Sequence, residues 1–143
     1  MEAYFIISIL INILKNMKAK KKILIIEDDT LFSEFCSDFL KKEGFLVFTA
    51  IDGEQGVEKA RKEKPDLILL DIILPKMTGY EVLKEIRKNV NSDLAKVPVI
   101  ILTNLSQEKG KFEGLGIECY LIKVSTDAKE VIKKVKRVFK RKS

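Results

Sequence analysis

The chain has no histidine and only two cysteines in 143 residues. Without histidine there is no Ser-His-Asp or Cys-His nucleophile system and no zinc site of the Cys-His kind. A phosphohistidine on this chain is excluded as well, so any such donor has to be another molecule. Cys36 and Cys119 are far apart and make no C-x-x-C, so two reduced, mostly buried thiols are expected. Seven Gly and three Pro exclude a collagen-like or low-complexity chain. Long apolar runs are missing too. The densest, Ala3–Leu14, falls short of the about 20 residues that a straight bilayer-spanning helix needs. Glu2 precedes it, and Lys15, Lys18 and Lys20–Lys22 follow, which reverses the charge order of a secretory signal. Three readings of this run stay open. It is an upstream start before a natural beginning at Met17, an added element packing on the domain or a second copy, or a membrane-surface anchor.

What is present suits one domain with a single core. Residues 1–19 are set apart as an apolar and basic extension, and 20–143 as the domain. Charge is uneven. Residues 1–22 carry five Lys against one Glu, and 127–143 carry eight Lys/Arg against two acids. Between them, eighteen acids face fourteen bases. The pI near 9.2 therefore belongs to the ends and is weak evidence for nucleic-acid binding.

The central stretch is Leu67–Leu70, apolar without alternation, opened by Pro65 and closed by Asp71. Such a run reads as a strand covered on both faces of a parallel sheet. Ile23–Ile26, Phe45–Ile51, Val97–Leu102 and Cys119–Ile122 are the other strands. Helices are expected from Thr30 to Gly44, over 54–64, over 79–88 and from about Asp127 to Lys140. The Gly-interrupted segment 106–118 predicts a short helix at most. In the first of these helices Leu31, Phe32, Phe35, Cys36, Phe39 and Leu40 are expected in the core. The repeated β-α pattern predicts an α/β fold, a doubly wound five-stranded parallel sheet with helices on both faces.

Open sheets of this kind bind ligands at the strand C-termini. Four strand ends carry polar groups in register: Glu27 and Asp28, Asp71, Thr103, and Lys123. Crowded acids at Glu27 and Asp28 repel one another, and a divalent cation compensates them simply. Carboxylates at Asp28 and Asp71 suit Mg²⁺. Asp71 is expected to be a phosphoryl acceptor, a known role for carboxylate nucleophiles. Lys123 and the metal are expected to take the charge of the transferring group, with the Thr103 hydroxyl donating to it.

This set, with Leu74-Pro75 and Thr78-Gly79 after the acceptor, resembles the receiver domain of two-component response regulators. The resemblance implies a flavodoxin-like strand order 2-1-3-4-5. It also implies that Asp71 receives its phosphoryl group from a sensor histidine kinase or phosphotransfer protein. Glu27, Asp28, Asp71 and the Ile73 backbone carbonyl would hold the Mg²⁺, and Thr103 and Tyr120 would be the switch pair. A cytoplasmic, single-domain regulator acting on an unidentified downstream protein is expected, a signalling module that catalyses only its own phosphoryl transfer and dephosphorylation.

The sequence departs from the family where Val124 replaces the usual Pro, where the stretch from Thr103 to Lys123 is shortened, and where Asn104 replaces a small residue. The bulk of Asn104 is expected to crowd water at the phosphate. Two other function classes compete. An Mg-dependent aspartate-nucleophile phosphatase of the haloacid-dehalogenase kind needs a second Asp where Ile73 stands. A phosphorylation-independent pseudo-receiver would have no use for an intact Asp71, Thr103 and Lys123. Direct nucleic-acid contact is not expected, because the basic tail has no stacking aromatics and no reading helix. A homodimer through the last helix or the N-terminal extension is left open.

Overall fold

An apolar strand without alternation must be covered on both faces, because successive side chains point to opposite sides. The structure, a computed structural model, describes residues 1–142, with the side chains of 17–19 and all of residue 143 outside the described set. Strands β1 (Lys22–Ile26), β2 (Leu46–Ala50), β3 (Leu67–Leu70), β4 (Val99–Thr103) and β5 (Cys119–Ile122) form one sheet in the order β2-β1-β3-β4-β5. Every pairing is parallel. Helices are α1 (Glu2–Ala19), α2 (Thr30–Lys42), α3 (Gly53–Glu63), α4 (Gly79–Arg87) and α5 (Ala128–Lys142).

The alternate residues of each central strand feed two cores. Leu24, Ile26, Ile68, Leu70, Val99 and Ile101 pack with Val57 and Ala60 of α3 and with Val82, Leu83 and Ile86 of α4. Ile23, Ile25, Leu67, Leu69, Ile100 and Leu102 pack with Cys36 and Leu40 of α2 and with Val131, Val135 and Val138 of α5. The expected doubly wound fold and strand order are those observed.

Three expectations need correction. First, Leu31 and Phe35 are not core residues; they are 78% and 57% exposed. The stripe that α2 buries runs through Ser33, Cys36, Ser37 and Leu40, a spacing of three and four that faces the sheet. Two small hydroxyls let the helix lie close, and the larger apolar groups fall on the neighbouring face. Second, β4 begins at Val99 rather than Val97. Pro98 has no N–H for a ladder, although its carbonyl still accepts from Ile68 at 3.0 Å. Third, residues 106–112 wind as a 3₁₀ segment and not as an α-helix. Gly114 and Gly116, with φ of +82° and +69°, prevent a longer one.

The helix starts are set by side-chain caps. Asp29 accepts from the Phe32 N–H at 3.1 Å and Asp52 from the Gln55 N–H at 2.8 Å. Thr78 and Glu81 form a reciprocal capping box, which satisfies two free donors of α4. Helices α2 and α3 begin directly beyond the ends of β1 and β2, and α4 begins after the loop 71–78 that follows β3.

Candidate functional site

The sheet register brings the polar strand ends into one row. Ile26 pairs with Leu70, Leu70 with Ile101, and Ile101 with Tyr120. Glu27 and Asp71 therefore leave the sheet side by side, and the Asp71 N–H donates to the Ile26 carbonyl at 3.0 Å. Thr103 pairs with Ile122, so Lys123 emerges next to the end of β4.

Oxygen atoms of Glu27, Asp28 and Asp71 lie within 4.8 Å of one another. Glu27 and Asp71 are buried, whereas Asp28 is exposed. The Lys123 ammonium sits between the two buried acids, 2.5 Å from Glu27 and 2.8 Å from Asp71. It also lies 4.8 Å from the centre of the Phe32 ring, a cation–π contact that sequence patterning had assigned only to the core.

Burial pushes the Glu27 carboxyl up to about 7; the Lys123 ammonium opposes the rise and the Asp71 charge adds to it. Burial works against the Lys123 charge, yet its bonds to Asp71 and Glu27 win and raise its pKa. Lys123 is thus the counter-ion of the two buried acids. Three close carboxylates, two of them buried, offer the hard oxygen donors that a cation such as Mg²⁺ takes.

The loop after β3 is held by backbone. One Asp71 carboxylate oxygen accepts from the Ile72 N–H at 2.7 Å and the Ile73 N–H at 3.4 Å, and the other faces Lys123. Gly79 donates its N–H to the Ile72 carbonyl at 2.8 Å. A Cβ on Gly79 would lie 2.2 Å from the Asp71 carbonyl oxygen and 2.8 Å from the Ile72 Cα. Both obstacles are backbone, so neither can rotate away. Gly79→Ala is expected to destabilise the fold by about 1–3 kcal/mol, the usual cost of overpacking, and to weaken divalent-cation binding by displacing Asp71. Urea melts and Mg²⁺ titrations of the variant check this; unchanged midpoint and affinity would show that the loop yields freely.

Thr103 is fully buried, and its hydroxyl accepts from the Leu105 N–H at 3.4 Å. The Tyr120 ring is half-buried, 6.0 Å from the Phe112 ring, and its hydroxyl donates to the Leu105 carbonyl. Both residues therefore touch the segment that follows β4. Asn104 is exposed, and its side-chain oxygen accepts from the Val124 N–H at 3.1 Å. A Pro at 124 would have no N–H to give. The two departures at 104 and 124 satisfy each other, and the Asn104 amide faces the β5 loop. Sequence patterning missed this pair because the two loops meet only in the folded sheet.

The sequence model of the response regulator receiver domain family matches residues 23–136. Among curated proteins, the chain is 37% identical over 123 residues to the alkaline phosphatase synthesis transcriptional regulatory protein PhoP of Bacillus subtilis. That match covers 85% of this chain and 49% of PhoP. Identity is also 37% over 122 residues to the DNA-binding dual master transcriptional regulator RpaA of Synechocystis, covering 84% of this chain and 49% of RpaA. The chain thus spans about half the length of these curated relatives. Among solved structures, a CheY-like receiver domain protein from Methanospirillum hungatei aligns with a TM-score of 0.77 and 29% identity, covering 86% of this chain and 96% of that one. TrrA of Thermotoga maritima, in complex with Mg²⁺-BeF, aligns with a TM-score of 0.72 and 32% identity, covering 82% and 97%.

These relatives overturn one expectation. Direct nucleic-acid contact was discounted for want of a reading helix and stacking aromatics, but the relatives are transcriptional regulators and one is described as DNA-binding. This chain matches only about half the length of those relatives, and a reading helix can lie in the other half.

Proposed function

Because this chain belongs to the response regulator receiver domain family, we propose that Asp71 is its phosphoryl acceptor and that the receiver unit, residues 20–143, is a phosphorelay switch. The observation that carries this reading is the buried Asp71 carboxylate bonded to Lys123 inside a three-carboxylate cluster. A carboxylate oxygen of Asp71 attacks phosphorus, the bond to the donor's leaving group breaks, and that group departs with the electron pair. Lys123 is in reach of the charge that develops on the phosphoryl oxygens. Glu27, Asp28, Asp71 and the Ile73 carbonyl would hold Mg²⁺. Bound there, the cation supplies positive charge that offsets repulsion between the carboxylate and the incoming anion.

The output follows from the segment after β4. If the buried Thr103 hydroxyl turns to a phosphoryl oxygen, it gives up the Leu105 N–H. The same segment holds the Tyr120 hydroxyl through the Leu105 carbonyl. One bond made at the acceptor then loosens two bonds at Leu105, which frees the ring to move. The donor in this reading is a histidine kinase or phosphotransfer protein.

Intact-protein mass after incubation with acetyl phosphate tests the acceptor. One phosphoryl adduct is expected with Mg²⁺, and none in Asp71→Asn or without metal. An adduct that persists in Asp71→Asn would overturn the assignment.

Leu31 and Phe35, exposed on α2 close to the pocket, offer an apolar rim for a protein donor. Leu31→Asp with Phe35→Asp is expected to slow transfer from a protein donor by 10-fold or more, on the scale of about 1–3 kcal/mol per lost anchor. The acetyl phosphate rate should not change. Equal loss with both donors would place the effect in the pocket and not in docking.

A further inference from the structure

Helix α1 is apolar over most of its circumference, with one narrow polar stripe formed by Ser8, Asn12 and Lys15 at i, i+4 and i+7. Successive residues of a helix point about 100° apart, so Phe5, Ile6 and Ile7 spread over the greater part of its circumference. They are 69%, 57% and 51% exposed. Ile9, Leu10 and Ile11 repeat the pattern one turn later at 44%, 51% and 48%. Every residue from 1 to 16 is exposed. A helix with so wide an apolar surface and a narrow polar stripe suits a membrane interface, where the stripe meets the headgroups. A second copy or a protein groove covers one face and leaves part of so wide an apolar surface in water, whereas lipid covers all of it except the polar stripe.

Charge points the same way. Glu2 is the only acid before Glu27, and exposed Lys15, Lys20 and Lys21 follow the apolar run. The Lys21 ammonium lies 5.9 Å from the centre of the Phe139 ring. That contact brings the last turn of α5, with Lys140, Arg141 and Lys142, to the same end of the domain. β1 starts at Lys22, so this basic end is the edge of the sheet opposite Asp71. The apolar part of α1, residues 3–14, is about 18 Å long at 1.5 Å per residue, well short of the roughly 30 Å hydrocarbon core. Among the described residues no helix is long and apolar enough to cross a membrane.

We propose that α1 inserts into one leaflet of an anionic membrane, with the lysines after it and the end of α5 against the headgroups. The acceptor edge then faces water, open to its donor. This inference does not depend on which residue accepts phosphate.

The test uses the full chain and vesicles of phosphatidylcholine with phosphatidylglycerol, beside phosphatidylcholine alone. The chain lacks tryptophan, so Phe5→Trp gives it a single reporter. Flotation with anionic vesicles and a blue shift of the tryptophan emission are expected. Ile9→Asp with Leu10→Asp should abolish flotation, and Lys20→Gln with Lys21→Gln should weaken it on the order of fivefold per lysine. The domain melt should be unchanged by the Ile9 and Leu10 substitutions, because α1 is exposed along its described length. A folded chain that stays with the aqueous phase overturns the proposal. So does flotation indifferent to the α1 substitutions, or a solution dimer that they dissolve without any vesicle binding.

Discussion

Lys123→Met is expected to slow phosphorylation by acetyl phosphate by on the order of 10²–10³, the usual loss when one charge-stabilising donor is removed from a reacting centre. The ammonium lies 2.8 Å from the Asp71 carboxylate and 2.5 Å from Glu27, so no other side chain replaces it without rebuilding the pocket. The same substitution leaves two buried acids without their cation. Breaking a buried pair from one side costs about 3–5 kcal/mol, and that cost should appear in the metal-free protein at alkaline pH. It should shrink on acidification, when Glu27 takes up a proton and no longer needs a counter-ion. Rapid-quench rates and thermal melts at two pH values separate the two effects. A melt unchanged at alkaline pH would mean that water already neutralises the acids; an unchanged rate would remove Lys123 from the chemistry.

The second large effect is the dependence of cation binding on pH. Glu27 titrates near 7 in the folded, metal-free protein, against an ordinary value of 4.5. Between those values the folded state holds a proton that the unfolded chain has released. Stability of the metal-free domain should therefore fall as pH rises from about 4.5 to about 7, and then level off. A metal needs the deprotonated carboxylate and competes with that proton. Below pH 7 the Mg²⁺ affinity should drop about tenfold per pH unit, and above it little change is expected. Calorimetric titrations across this range check the slope. Glu27→Gln should flatten it, since no proton then has to leave. A wild-type affinity constant from about pH 5.5 to 8 would show that Glu27 is already ionised in the free protein.

Both effects depend on groups whose positions were readable in sequence, but whose interactions were not. Each of Glu27, Asp71, Thr103 and Lys123 closes an apolar strand, and parallel strands end at one edge. That register was enough to gather them. Nothing in a string of residues states that the Lys123 ammonium lies between two acids and over Phe32. Those contacts join residues 52 to 96 positions apart, and side-chain placement across β1, β3 and β5 decides them.

The same boundary runs through the rest of the molecule. The sequence by itself determined the α/β class, the five strands, the acidic and basic partition, and the chemistry of the strand ends. Those properties follow from local periodicity and residue type. Only the tertiary structure decided which face of α2 is buried, because Ser33 and Ser37 permit close approach where hydrophobicity alone favours Leu31 and Phe35. It also paired Asn104 with Val124 across two loops, and placed Gly79 against the backbone of Asp71 and Ile72. Finally, it left α1 apart from the core, with the basic end of α5 brought beside its exit. A periodic pattern reports that a surface is apolar; which partner covers it depends on distances that only the folded chain sets.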